Sequence, residues 1–209
     1  MPPIHLGQCR YRARLAAGLL TAVVISSPTA AADSDGNFAY KGAGAQTCGT
    51  FRASWQDGSR DLALYGGWID GYLTAYNQSQ PETFDIAPWQ TTQTLLGLTR
   101  SVCAQLPEDT AFTQAVWQLV QALQPMRLDR LSKAVVLTDG ESQTAIYTAL
   151  LPRVLAQLSA EGLSPGEPQD TEFPERLAAS LTSYQERHGL DPSGHLDQRT
   201  LFALLATSS

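Results

Sequence analysis

The first 32 residues constrain the rest of the chain more than any other feature, because they assign it a compartment. Arg10, Arg12 and Arg14 form a basic start, Leu15–Ile25 an apolar run, and Ala30, Ala31 and Ala32 a small-residue A-x-A site. These are the three parts of a secretory signal, with cleavage expected before Asp33. An apolar run of about a dozen residues is too short for a ~30 Å hydrocarbon core, which argues against a membrane anchor. Cys9 precedes the apolar run, where a lipoprotein would need it to follow, so Cys9 is expected to leave with the signal. No later apolar stretch is long enough to span a bilayer. The expectation is a soluble periplasmic protein with no membrane contact after cleavage.

That compartment decides how the cysteines are read. Beyond residue 32 the chain keeps two, Cys48 and Cys103. Two thiols in an oxidising compartment most often pair with each other. Such a bridge closes a loop of about 56 residues, worth about 4 kcal/mol in the chain-entropy account. The alternatives are two buried, unpaired thiols or a zinc site, and the second is weak because no His lies near either cysteine.

Charge narrows the range of partners. Removing Arg10, Arg12 and Arg14 from 14 basic residues leaves 11 against 20 acids, a net of −9 after residue 32. Nucleic acid, whose phosphates favour clustered Lys and Arg, is therefore an unsuitable partner. A hydrophobic share of 43% excludes a disordered acidic tail for most of the length.

The spacing of apolar residues predicts a mainly α fold. Residues 33–46, rich in Gly, Ala, Ser and Asp, read as a flexible lead, and residues 47–124 as a small disulfide-stapled helical domain. In Arg60–Gln78, Leu62, Tyr65, Ile69, Tyr72, Leu73 and Tyr76 recur at spacings of three and four. Gly67 and Gly71 lie one turn apart, which predicts close approach by a neighbouring helix. A second helix is expected over Thr91–Ala104, and a third running to Leu123 with Asp109 or Thr110 as its N-cap. Residues 125–143 read as a linker whose β-prone run Ala134–Thr138 is a lone strand or extended connector. The last domain, 144–209, is expected to hold three short helices. The first carries Ile146 to Leu158, with Pro152 as a possible start. The second opens at Pro174, and the third spans Asp197–Ala206.

Two resemblances follow from these residues. In Val154–Leu205, Tyr184-Gln185, Gly189-Leu190, Ser193-Gly194, Leu196, Thr200 and Leu204-Leu205 occur in order, preceded by Leu158, Gly162-Leu163 and Asp170. This stretch resembles the three-helix peptidoglycan-binding module of bacterial cell-wall proteins. The resemblance implies peptidoglycan as partner, with Tyr184, Gln185, His188, His195 and Arg199 as candidate contacts. Taken alone, each of these reads first as a core or solvated side chain and only second as a contact. Arg199, in the first turn of the last helix, could pair with a stem-peptide carboxylate, helped by the helix N-terminus. In the first domain, Cys48, the run Trp68-Ile69-Asp70-Gly71-Tyr72-Leu73, Cys103 and Leu106-Pro107 resemble small exported helical proteins related to the acid-stress chaperone HdeA and the Tai-type immunity proteins of type VI secretion.

The chain has no HExxH and no Gly-rich phosphate loop. His188 and His195 with Asp191 or Asp197 would make a poor metal site across a turn, so no metal or cofactor is expected. The reading is a non-catalytic exported protein that binds peptidoglycan through its last domain and an unidentified periplasmic protein through its first. The alternative is a periplasmic stress chaperone or secretion-immunity-like protein whose last domain is structural.

Overall fold

The computed structural model describes residues 33, 35, 37–56, 60–139 and 142–206. The expected export signal and Cys9 lie outside the described residues. Besides three short 3₁₀ turns, seven α-helices and one hairpin make up the regular structure among them: α1 Cys48–Gln56, α2 Asp61–Ser79, α3 Thr92–Cys103, α4 Phe112–Leu123, β1 Ala134–Asp139, β2 Ser142–Tyr147, α5 Leu151–Ala160, α6 Phe173–Arg187 and α7 Gln198–Leu205. The fold is mainly helical, as the spacing implies. From Tyr40 onward the chain belongs to one compact unit. Ahead of it, the Asp33 carboxylate accepts from the amides of Asp35 and Asn37.

The Cys48–Cys103 disulfide is present. It ties the first residue of α1 to the last of α3. Around it Phe51, Tyr65 and Phe112 form a ring triangle with each centroid pair 4.8 Å apart. Ile69, Leu95, Leu96, Val116, Val120 and Leu123 complete this core. The start of α1 also docks by backbone: the amides of Cys48 and Gly49 donate to the carbonyls of Thr110 and Glu108, at 2.8 and 2.9 Å. In return Phe112 donates to the Gln46 carbonyl. This docking explains why neither Asp109 nor Thr110 caps α4. Thr110 is drawn into a bridge beside Thr47↔Ala111, and Ala111, without a side-chain cap, becomes the N-cap.

Two expectations about packing are corrected. Gly67 and Gly71 face open space, and a Cβ at either would meet nothing within 4 Å. The glycine that permits close approach is Gly66, where a Cβ would lie 2.8 Å from Thr92 Cγ2 of α3. The lead is also less loose than its composition implies. Gly42–Ala45 forms a 3₁₀ turn, Gly44 is buried against Trp68, and the Gly44 carbonyl accepts from Thr113 Oγ1 at 2.7 Å.

The β-prone run is not a lone strand. Ala134–Asp139 pairs antiparallel with Ser142–Tyr147, in a register from Ala134↔Tyr147 to Asp139↔Ser142. Ile146 and Tyr147, expected on a helix with Leu150, lie on the second strand. Pro152 suits the first turn of a helix and fixes the start of α5 at Leu151. Ile146 still reaches the same core as Leu150, Val154 and Leu158, because an inward strand position buries it as well as a helix would.

Candidate functional site

Helices α5, α6 and α7 close over Val154, Leu158, Leu177, Leu181, Tyr184, Leu196, Leu201, Leu204 and Leu205. The turn from α6 to α7 is built around Gln185, which has no exposed surface. Its Oε1 accepts from the Gly194 amide at 2.8 Å. Its Nε2 donates to the His195 carbonyl and to Thr200 Oγ1, both at 2.9 Å. One amide thus holds three points of the turn, and buried groups of this kind are costly to leave unpaired. Gly189 and Gly194 take the positive φ values the turn needs, 64° and 71°. Gly194 also has no room for a Cβ, which would sit 3.0 Å from Thr182 Oγ1 and 3.2 Å from the Ala178 carbonyl.

Asp197 caps α7. Its Oδ1 accepts from the amides of Arg199 and Thr200 at 2.8 and 2.9 Å, and its Oδ2 accepts from Thr200 Oγ1 at 3.1 Å. This corrects one expectation: the helix N-terminus already holds a carboxylate, so it adds no attraction for an anion beside Arg199. Thr200, fully buried, is spent on Asp197 and Gln185.

The five candidate contacts therefore separate. Gln185 offers no surface to a ligand. Tyr184 is 4% exposed and stacks on His188 with ring centroids 4.2 Å apart. Burial, and next the charge of Glu161, raises the Tyr184 phenol above its ordinary pKa. His188 Nε2 lies 2.7 Å from Glu161 Oε1, while Arg187 donates to the Glu161 carbonyl at 2.8 Å. Glu161, at the end of α5, thus gathers the end of α6. His195 is half-buried in the turn. Arg199 is exposed, and its guanidinium makes no bond to another described residue. No group of three or more metal-ligating side chains occurs among the described residues.

Sequence reasoning missed Glu161 and Gln198. Gln198, in the first turn of α7, accepts from the Thr91 amide at 3.0 Å and from Thr94 Oγ1 at 2.7 Å, and donates to the Trp89 carbonyl at 2.6 Å. It joins the α5–α7 module to the start of α3. No local signal marks such a residue.

Comparison with known proteins adds one finding. Residues 153–204 match the family model described as "Putative peptidoglycan binding domain". The match covers α6 entirely, α5 from Arg153 and α7 through Leu204. Searches of curated proteins and of solved structures gave no significant match. No described helix is long and apolar enough to cross a membrane.

Proposed function

We propose that this is an exported, non-catalytic protein that docks on peptidoglycan through residues 153–204. The observation that carries this reading is the family match on a module whose turn determinants, Gln185, Gly194 and Thr200, are mutually bonded. A family that binds a wall polymer implies work outside the cytoplasm. The docking face we assign comprises His188, His195 and Arg199, with Tyr184 as a backing ring. Arg199 supplies the cation that a stem-peptide carboxylate would pair with.

The α1–α4 region is then the part presented to a protein partner. A cavity of about 610 Å³ between the Gly42–Ala45 turn, α1 and α2 supports this role, with Leu64, Tyr65 and Trp68 on its walls. Leu64 is 67% exposed there. Sedimentation with purified sacculi tests the wall-binding reading. The full chain should pellet with sacculi at low and moderate salt, and a chain left in the supernatant at both would overturn it.

A further inference from the structure

Helices α5 and α6 end against each other, with Glu161 as the C-cap residue of the first and His188 as that of the second. Two contacts fix the His188 ring. Tyr184 stacks on it with the planes 28° apart, and Glu161 Oε1 lies 2.7 Å from its Nε2. Glu161 is itself tied to α6, since Arg187 donates to its carbonyl at 2.8 Å and stands 4.0 Å from its carboxylate. Held in this way, the His188 side chain still keeps 41% of its surface open, while Tyr184 behind it is buried.

A carboxylate has no proton to give, so in the 2.7 Å contact the imidazole is the donor and Nε2 carries the hydrogen. In the neutral ring that leaves Nδ1 bare, because the bond made by one nitrogen sets the state of the other. Among the described residues no group bonds to Nδ1. The neutral ring thus has an acceptor to offer, the opposite of Arg199, whose guanidinium has only donors. The two members of the docking face ask for different groups. Arg199 suits a carboxylate, and His188 an N–H or O–H.

We infer that Glu161 is a positioning residue for wall binding: it holds His188 in the tautomer whose Nδ1 accepts a hydrogen bond from the wall polymer. This rests on the docking face proposed above. The donor is an amide N–H of the stem peptide or an N–H or O–H of the glycan. Without the Glu161 carboxylate the ring is held by the Tyr184 stack alone, and its proton is free to move to Nδ1. It then presents a donor, which repeats what Arg199 supplies, and it has to be ordered when the ligand binds.

The test follows both ring nitrogens of His188 in the full chain by long-range ¹H–¹⁵N correlation, assigned by their loss in His188→Gln. It is run at about pH 8.5, above the ordinary imidazole range. The probes are stem peptide cleaved from sacculi and peptide-free glycan strand, with sedimentation on intact sacculi in parallel. In the wild type Nε2 should carry the proton, and Nδ1 should shift on adding one probe or both. Which probe acts identifies the donor. Glu161→Ala should show both tautomers and bind sacculi roughly three- to tenfold more weakly, the effect of one neutral hydrogen bond. Glu161→Gln, whose amide oxygen can accept from Nε2–H, should restore the tautomer and most of the binding, which loss of a charge alone would not. A wild-type ring protonated at Nδ1, a tautomer unchanged in Glu161→Ala, or an Nδ1 signal unmoved by both probes would overturn the inference. Sedimentation separates it from the reading beneath it. A wild type that stays in the supernatant overturns wall binding and this inference together, whereas a wild type that pellets no better than Glu161→Ala overturns this inference alone.

Discussion

Gln198 and Thr91 are bonded across 107 positions of chain, the side chain of the first accepting from the backbone amide of the second. Thr91 is also the N-cap of α3, where its hydroxyl accepts from Thr94. A single glutamine on α7 therefore secures the entry to a helix whose far end carries Cys103. Truncation to Gln198→Ala removes the partner of the Thr91 amide and of the Trp89 carbonyl, and leaves the Thr94 hydroxyl with Thr91 Oγ1 alone. The expected loss is about 2 kcal/mol, with faster hydrogen exchange at the Thr91 amide. Unchanged exchange there would show that the joint is not made in solution.

Gln185 separates a structural role from a binding one. Gln185→Ala should destabilise the protein by about 2 kcal/mol or more, since the Gly194 amide and the His195 carbonyl lose their partner and the Thr200 hydroxyl keeps only Asp197. Denaturant unfolding measures this. A variant as stable as the wild type would mean that the turn is held by something else.

The glycines of α2 give opposite expectations within two positions. Gly67→Ala, into open space, should gain up to about 1 kcal/mol from helix propensity. Gly66→Ala should lose stability, because overpacking of about 1–3 kcal/mol exceeds that gain. Thr92 cannot rotate away freely, since its hydroxyl donates to Asp70 at 2.9 Å. Thermal melts of the two variants should shift in opposite directions, and equal shifts would contradict the assignment.

This pair also shows what the sequence can and cannot carry. Spacing of three and four places Tyr65, Ile69 and Leu73 on one buried face, so the helices and their inward sides were readable. The spacing does not say which of three nearby glycines meets a neighbour, because that depends on where α3 crosses. Ile146 and Tyr147 satisfy a helical stripe and a strand equally, and only pairing with Ala134 and Val135 decides. At the candidate site the Tyr184-Gln185 pair was visible, but not that Gln185 faces inward. The Gln198 joint was illegible because its partners lie in a distant loop whose path no local pattern predicts.

Alkaline pH should destabilise the fold. The phenols of Tyr65, Tyr72, Tyr147 and Tyr184 are all raised above their ordinary value, chiefly by burial. A folded pKa above the unfolded one means that stability is fully present below about pH 10 and is lost as pH rises through the folded values. Melting temperature should hold between pH 7 and pH 9 and fall beyond about pH 10, with a smaller fall in Tyr184→Phe. An unchanged melting temperature through pH 11 would contradict this.

We propose that residues 153–204 hold the protein on the cell wall through a face that includes Arg199. The most direct test is co-sedimentation of Arg199→Ala and wild type with purified sacculi, with melting temperatures measured in parallel. Arg199 is exposed and makes no side-chain bond to another described residue, so its truncation should leave the melting temperature within about 3 °C, as for most surface changes. The wild type should pellet, and Arg199→Ala should pellet substantially less. Equal pelleting by the two would contradict the assigned face, and no pelleting by the wild type would contradict wall binding itself.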